Sequence, residues 1–226
     1  MDTKEPKHLN CFLCKHSLSE WQDMITNRAT IHQFKKGQQI FSEGEQAQGF
    51  YFLHNGKVKV HKQWGPDKDL IIKIAKEGEV LGHRGIGTNE EYPVSATALE
   101  NTEVCLISAS FLKTTLKVNP QLTYELMLYY ANELREAELN MRDLVHMDVR
   151  GRIAKVLSKL EEIFGVDEKG YIESTMSRQD ISSFAGTTYE TVFKVLNEFN
   201  HKQFIVLADK KIMIKNRRAL IGNSIK

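Results

Sequence analysis

The sequence predicts an α+β protein in three parts: an N-terminal double-stranded β-roll of the jelly-roll type in residues 1–118, a long dimerisation helix in 119–147, and a C-terminal winged helix-turn-helix in 148–226. Three patterns predict this architecture. Short apolar runs broken by glycines fill residues 30–108 and are typical of a β-roll or barrel. An apolar seam with heptad spacing follows. Two short amphipathic segments around a glycine, and then two β-rich runs, close the chain.

The composition is that of an ordinary globular protein, with 41% hydrophobic and 27% charged residues. The net charge of +2 is unevenly distributed along the 226 residues. From Met147 onward, 14 Lys/Arg and 10 Asp/Glu give +4, whereas the first 146 residues carry 17 and 19, which gives −2. The basic excess lies with the helix-turn-helix, which suits a sensor half joined to a nucleic-acid-binding half.

The N-terminal segment and the cysteines indicate the cellular compartment of the protein. The N-terminal segment has no apolar signal-peptide region, and no stretch approaches the roughly 18 apolar residues of a membrane span. We therefore expect a cytoplasmic protein with no membrane partner. Three cysteines do not form a disulfide framework, so packing, redox chemistry and metal binding remain as their possible roles.

Several short strands are predicted within the roll, each bounded by a glycine turn. The clearest pair flanks Asn55-Gly56, a dipeptide that favours a type I′ turn, and the alternation on both sides predicts a hairpin. A roll of this size either holds a small ligand or is filled by its own side chains.

Pro120 opens the predicted long helix, which runs to about Met147. Its apolar residues are spaced 3, 4, 3, 4, 3 and form the predicted dimer seam Met127, Tyr130, Leu134, Ala137, Met141 and Leu144. Charged residues outside this seam favour a parallel homodimer over a helix buried within one chain. A hinge is predicted at Asp148 to Gly151, where the glycine would let the chain leave the seam.

The spacing of a helix-turn-helix begins at Ser177, which forms a predicted capping box with Asp180. Gly186 supplies the turn, because glycine adopts a left-handed backbone at little cost. Thr187 and Glu190 predict a second capping box. The same pattern also suits an ordinary helical hairpin that does not bind DNA.

The second helix is predicted to expose aromatic residues beside a lysine, which suits contact with base edges and thymine methyl groups. The β-rich runs at 204–207 and 212–214 predict a wing whose lysines contact phosphates. The predicted DNA-binding residues are Ser177, Arg178, Thr188, Tyr189, Glu190, Phe193, Lys194, Asn197, Lys210 and Lys211.

The order of these parts resembles the Crp/Fnr family of bacterial transcription regulators over nearly the whole chain. Its most specific stretches are residues 78–82, 95–105, 177–181 and 186–192. The resemblance implies a homodimer that binds palindromic double-stranded DNA with half-sites one helical turn apart, and contact with RNA polymerase. It also implies base reading by an acidic residue and by a basic residue four positions later, which here are Glu190 and Lys194.

The effector pocket departs from the members of the family that bind cyclic AMP. Those members carry a glutamate after a strand-ending glycine and an arginine before a Ser-Ala pair, whereas here His83 follows Gly82 and Val94 precedes Ser95. Burying a cyclic phosphate without its cation is costly, so we expect another small-molecule effector or none. Arg84 is the nearest cation, and it completes the candidate pocket.

The Fnr branch of the family holds an iron-sulfur cluster on three N-terminal cysteines and one in the β-roll. Cys11, Cys14 and Cys105 match three of these positions, so a cluster would need a fourth ligand such as His8 or His16. Cys105 equally suits a small residue of the core. Metal or redox sensing by these cysteines is the alternative to an organic effector.

An enzyme is not expected. A cupin-like metal oxygenase needs an H-x-H pair with a carboxylate and a further histidine, whereas His54, His61 and His83 are isolated from one another. The sequence also has no phosphate loop, nucleophile elbow or H-E-x-x-H motif.

Overall fold

The computed structural model describes residues 11–65, 68–87 and 89–222. The chain divides into two compact units. The first, here called the β-roll unit, consists of Met1–Asp67 and Ile72–Arg135, and the second, the C-terminal unit, of Lys68–Ile71 and Glu136–Lys226. In the part of the chain that the structure describes, no helix is both long and apolar enough to cross a membrane.

Eight strands form two four-stranded sheets, with the orders β1-β8-β3-β6 and β2-β7-β4-β5. The strands are β1 (Thr30–Phe34), β2 (Gln39–Phe41), β3 (Gly49–Asn55), β4 (Lys57–Gln63), β5 (Asp69–Lys76), β6 (Val80–Leu81), β7 (Ser95–Ala98) and β8 (Thr102–Ser108). The predicted α+β class with an N-terminal β-roll is confirmed.

The hairpin predicted at Asn55-Gly56 is wrong, because β3 and β4 lie in different sheets. β3 pairs antiparallel with β8, whereas β4 pairs antiparallel with β7. Gly56 has a φ of 97°, but Asn55 does not share the positive φ that a type I′ turn requires at both positions. A Cβ at Gly56 would lie 2.8 Å from the carbonyl oxygen of Asn101. The glycine therefore lets the chain pass closely from one sheet to the other.

Aromatic side chains fill the interior of the roll. The ring of Tyr92 stacks on that of Phe41, with 4.1 Å between their centroids. Its hydroxyl donates to the carbonyl oxygen of Gly49 at 3.0 Å and accepts the Gly49 N–H at 3.2 Å. This pairing satisfies the polar end of a tyrosine that is only 1% exposed, so the ring acts as a fixed part of the core.

The helices are α1 (Phe12–His16), α2 (Gln22–Arg28), α3 (Ala109–Val118), α4 (Pro120–His146), α5 (Val149–Phe164), α6 (Arg178–Ala185), α7 (Tyr189–His201) and α8 (Arg217–Gly222). Pro120 is the first residue of α4, where its missing N–H has no intrahelical partner to lose. Leu122 and Leu126 bury one face of α4 in the β-roll unit.

The predicted seam of α4 is largely exposed in the single chain. Leu134 is 62% exposed and Met141 63%, and Met127, Ala137 and Leu144 are exposed as well. Tyr130 differs from the other seam residues, because it is half-buried against the β-roll core and its hydroxyl donates to the carbonyl oxygen of His83 at 2.5 Å. Tyr124, Leu128 and Val145 of α4 are exposed as well.

The C-terminal unit contains α5 to α8 and an antiparallel wing of β9 (Ile205–Ala208) and β10 (Lys211–Ile214). The stretch before α6 extends this wing. Val166 and Ile172 form an isolated antiparallel bridge, and the Ile172 N–H donates to the carbonyl oxygen of Ile212 at 2.8 Å.

The hinge predicted at Asp148 to Gly151 is also corrected. Gly151 is buried in the first turn of α5, with helical neighbours on both sides. Asp148 is the N-cap of α5, and its carboxylate accepts the Gly151 N–H at 2.7 Å. The break between α4 and α5 therefore lies before the glycine, and an N-cap fixes the start of the next helix.

Candidate nucleic-acid interface

The first helix of the predicted helix-turn-helix, α6, begins and ends as the sequence indicates. Ser177 Oγ accepts the Asp180 N–H at 3.0 Å, and the Asp180 carboxylate accepts the Ser177 N–H at 2.9 Å, which completes a capping box. Gly186 ends the helix in the left-handed region, with φ 60° and ψ 48°. The chain therefore turns into α7 at the expected residue.

The second capping box, predicted at Thr187 and Glu190, is wrong. Thr188, not Thr187, is the N-cap of α7, and its hydroxyl accepts the Thr191 N–H at 3.3 Å. The Thr187 N–H instead donates to the carbonyl oxygen of Ser182 at 3.0 Å and belongs to the turn. Glu190 consequently lies in the first turn of α7 with an exposed side chain. Hydrogen bonds from its own N–H and from Thr188 lower its pKa, so the carboxylate is ionised.

The outer face of α7 exposes all six residues that the sequence assigns to it. Tyr189 is 44% exposed and Phe193 60%. The opposite face, formed by Val192, Val195, Leu196 and Phe199, is buried. The exposed set is Thr188, Tyr189, Glu190, Phe193, Lys194 and Asn197.

The two predicted DNA-binding residues at the start of α6 are Ser177 and Arg178, and both are partly engaged within the protein. The hydroxyl of Ser177 donates to the Asp180 carboxylate at 2.7 Å in addition to its capping bond. Arg178 is half-buried, and this burial lowers its pKa although Tyr189 acts in the opposite direction. Arg178 interacts electrostatically with Tyr189, the first residue of α7.

The wing presents two lysines with different surroundings. Lys210 is exposed in the turn between β9 and β10. Lys211 Nζ lies 2.8 Å from the carboxylate of Asp167, which also accepts the N–H groups of Lys169 and Tyr171. Asp167 offsets part of the charge of Lys211, so Lys210 is the stronger candidate for a phosphate contact.

A second site lies inside the β-roll unit, at a cavity of about 10 Å³. Four of the five predicted pocket residues line it, namely Gly82, His83, Arg84 and Val94. Ser95 does not line it, because its buried hydroxyl accepts the Glu43 N–H at 2.9 Å. The cavity has room for about one water molecule.

Glu133 dominates the electrostatics of this cavity and was not predicted as a pocket residue. Its carboxylate accepts hydrogen bonds from Lys73 at 2.7 Å and from Arg84 at 3.0 Å. Burial opposes the ionisation of Glu133, but the charge and hydrogen bond of Lys73 outweigh burial and lower its pKa. One signal could have revealed it: Glu133 follows Tyr129 by four residues on the apolar face of α4 that packs on the roll.

His83 is the most deeply buried ionisable residue of the predicted pocket, at 5% exposure. Its Nδ1 lies 3.1 Å from the carbonyl oxygen of Val80, and its Nε2 lies 3.8 Å from the Glu133 carboxylate. Burial lowers the pKa of His83 to about 4; the charge of Glu133 opposes this shift, and the charges of Arg84 and Lys73 add to it. The imidazole is therefore neutral at physiological pH.

The three cysteines are brought together in one buried cluster of the β-roll unit. The side-chain hydrogen bond between Cys14 and Cys11 lowers the pKa of Cys11 to about 7 and raises the pKa of Cys14. Burial raises the pKa of Cys105 to about 12. Of the proposed fourth ligands, His16 lies 3.8 Å from Glu125, and His8 is outside the described residues.

The sequence matches two domain families. Residues 31–119 match the cyclic nucleotide-binding domain, and residues 151–222 match the Crp-like helix-turn-helix domain. The transcriptional activator protein Anr of Pseudomonas protegens is 30% identical to this chain over 198 residues, which cover 84% of this chain and 80% of Anr. The chain belongs to the Crp/Fnr family of transcription regulators.

Other Crp/Fnr proteins match over a similar length. The CRP-like cAMP-activated global transcriptional regulator of Mycobacterium tuberculosis is 28% identical over 87% of this chain and 88% of its own length. The solved structure of FixK2 from Bradyrhizobium japonicum has a TM-score of 0.76 at 26% identity, and the match covers 88% of this chain and 98% of FixK2.

Two groups that the family resemblance implies are a cyclic nucleotide and an iron-sulfur cluster. In the cavity lined by Gly82, His83, Arg84 and Val94, Glu133 already accepts hydrogen bonds from Lys73 and Arg84. An iron-sulfur cluster needs four ligands, and within residues 11–65, 68–87 and 89–222 no group of three or more His, Cys, Asp or Glu is placed to hold a metal ion.

We expect the β-roll unit to lose stability as the pH falls from about 6.5 to about 4. Folded His83 has a pKa of about 4, whereas the unfolded chain binds this proton below about 6.5. Because the unfolded state binds more protons in this window, the free energy of unfolding decreases there by up to ~3 kcal/mol. Urea denaturation at several pH values, followed by the fluorescence of Trp21 and Trp64, measures this unit because both tryptophans lie in it.

The control separates His83 from the other histidines. His83→Gln should remove most of the slope between pH 6.5 and 4.5, whereas His201→Gln, at an exposed position of the C-terminal unit, should keep it. A full slope in His83→Gln would assign the proton uptake to another residue.

Proposed function

We propose that this protein is a homodimeric transcription regulator that reads a palindromic DNA site through α7 and contacts RNA polymerase. The observation that carries the proposal is the exposed face of α7, where Tyr189, Glu190, Phe193 and Lys194 project from a helix whose other face is buried. Two exposed aromatic rings beside a carboxylate and an ammonium group are unusual on a solvated helix and suit the major groove.

Each side chain of this face has a chemical role in base reading. The ionised carboxylate of Glu190 accepts a hydrogen bond from a cytosine amino group, and Lys194 donates to guanine O6 or N7. The rings of Tyr189 and Phe193 contact thymine methyl groups. Lys210 of the wing binds a phosphate, which adds affinity without adding sequence preference.

Lys194→Ala and Lys210→Ala test this division of roles. After the preferred site of the wild-type protein has been selected from random DNA, Lys194→Ala should reduce the preference for that site over random DNA by roughly tenfold or more. Lys210→Ala should weaken binding to both DNAs alike, and the salt slope should flatten by about one unit. Fluorescence anisotropy at several salt concentrations measures both effects.

Lys202→Ala is the matched control, because Lys202 follows α7 and pairs with Glu198 at 2.9 Å, away from the exposed face. It should keep the sequence preference. If Lys194→Ala distinguishes the selected site from random DNA as well as the wild-type protein does, α7 does not read bases at this position.

The exposed apolar face of α4 supports the homodimer. Leu134 and Met141 are both more than 60% exposed, and they lie seven residues apart on a 27-residue helix. A repeat of seven residues is the geometry by which two α-helices pair in a coiled coil. A second copy of the same face is self-complementary, as a two-fold interface requires.

Leu134→Glu should shift the protein to a monomer in sedimentation velocity, because it places a charge in the centre of the paired face. Specific DNA binding should fall with dimerisation, since each monomer reaches one half-site. Asn132→Glu introduces the same charge at another exposed position of α4 and should remain dimeric. A Leu134→Glu dimer would place the interface elsewhere.

The signal proposed for the β-roll unit is not cyclic AMP, although the similar Mycobacterium tuberculosis protein is cAMP-activated. Val94 supplies no cation, and the carboxylate of Glu133 would face the ligand phosphate. Separating Glu133 from Lys73 and Arg84 would leave a partly buried carboxylate unpaired, which costs several kcal/mol. The unit therefore responds to a different small molecule or operates without one.

Isothermal titration of the protein with cyclic AMP should give no saturable heat at millimolar concentration, and specific DNA binding should be unchanged by the nucleotide. The physical reason is the unmatched phosphate charge in the cavity. Saturable binding that increases DNA affinity would contradict this assignment of the pocket.

A further inference from the structure

The end of α4 and the turn of the helix-turn-helix are joined by one guanidinium group. Arg152 donates from Nη1 to the carbonyl oxygen of Met147 at 2.8 Å, and from Nε to that of Ala185 at 2.9 Å. Its Nη2 lies 3.4 Å from the carbonyl oxygen of Gly186. Met147 directly follows α4, and Ala185 and Gly186 end α6.

These carbonyl groups are natural partners for a cation. The last carbonyl groups of a helix lack intrahelical partners and carry the negative end of the helix dipole. Arg152 satisfies such groups at the ends of two helices at once, and its planar, forked guanidinium holds the donors in fixed directions. The bonds therefore hold the two helix ends at a fixed separation.

The bonds of Arg152 to Met147, Ala185 and Gly186 form what is here called the joint, and two further contacts support it. Leu144, on the last turn of α4, packs against Gly186, where a Cβ would lie 2.7 Å from Leu144 Cδ2. Asp143 is 6% exposed, and its carboxylate binds Lys155 of α5 at 2.6 Å and Arg142 at 2.7 Å. All these residues belong to the C-terminal unit.

We propose that Arg152 is a positioning residue that fixes the recognition helix α7 relative to the dimer helix α4. Gly186 lies three residues before the first residue of α7. The bonds to Ala185 and Gly186 therefore set the position of the first turn of α7, which contains Tyr189 and Glu190. In the dimer, this joint fixes the distance between the two copies of α7 and hence the accepted spacing between half-sites. The inference rests on the proposed function.

The test measures spacing, which a general loss of stability would not change selectively. The full-length dimer is titrated with its selected palindromic site, with sites that carry one or two extra central base pairs, and with a single half-site. Wild-type protein should prefer the selected spacing. Arg152→Gln should weaken binding at that spacing by roughly tenfold, the loss expected for one charge-assisted hydrogen bond, and should bind the altered spacings nearly as well.

Arg150→Gln is the matched control. Arg150 lies on the same helix α5 and carries the same charge, but it binds Glu198 of α7 at 3.0 Å and touches neither helix end of the joint. Arg150→Gln should keep the spacing preference of the wild type. Affinity for the single half-site and the dimer mass should be the same in all three proteins.

Arg152→Lys guards against a folding defect. Lysine keeps the charge and the aliphatic stem but cannot bind three carbonyl groups in a plane, so it should fold and should also broaden the accepted spacing. A sharp wild-type spacing preference in folded Arg152→Lys or Arg152→Gln overturns the inference. If the wild-type protein itself does not distinguish a palindrome from a half-site, the proposed function fails instead.

Discussion

The helix α4 carries apolar side chains on two faces, and one copy of the chain buries only one of them. Leu122 and Leu126 are buried in the β-roll unit, whereas Leu134 and Met141 remain exposed. Covering these exposed apolar side chains with a second protein surface is favourable, because it removes apolar area from water. The proposed dimer satisfies this requirement, and the role proposed for Arg152 is to fix α7 relative to α4 in that dimer. In the proposed dimer, the placement of the two copies of α7 would depend on how α4 buries its second face.

Inside the β-roll unit, an ion network takes the position where the resemblance to cyclic-AMP-binding relatives implies a phosphate site. Lys73 and Arg84 converge on Glu133, and neutral His83 packs beside them. A partly buried carboxylate between two cations is satisfied by charge and by hydrogen bonds, so no external anion is needed to balance it. This arrangement ties α4 to the roll through hydrogen bonds from Lys73 and Arg84 to Glu133.

The helix-turn-helix divides its polar residues between structure and recognition. Ser177, Asp180 and Thr188 cap helices, and Asp167 holds Lys211 on the wing. The residues left without such structural roles, above all Phe193 and Lys194, lie on one exposed face of α7 together with Glu190. The backbone N–H groups at the start of a helix need hydrogen-bond acceptors. Side chains that supply these acceptors are less available to a ligand, which explains the division.

The sequence by itself determined the local features: the α+β order of elements, the capping box at Ser177, the left-handed Gly186 and the exposed face of α7. Each depends on residues a few positions apart, where backbone preferences and helical periodicity act directly. The tertiary structure alone decided that β3 pairs with β8 rather than with β4, that Glu133 binds Lys73, and that Arg152 spans two helix ends. These contacts join distant residues, up to 60 positions apart for Lys73 and Glu133, and alternation or helical periodicity does not specify such partners.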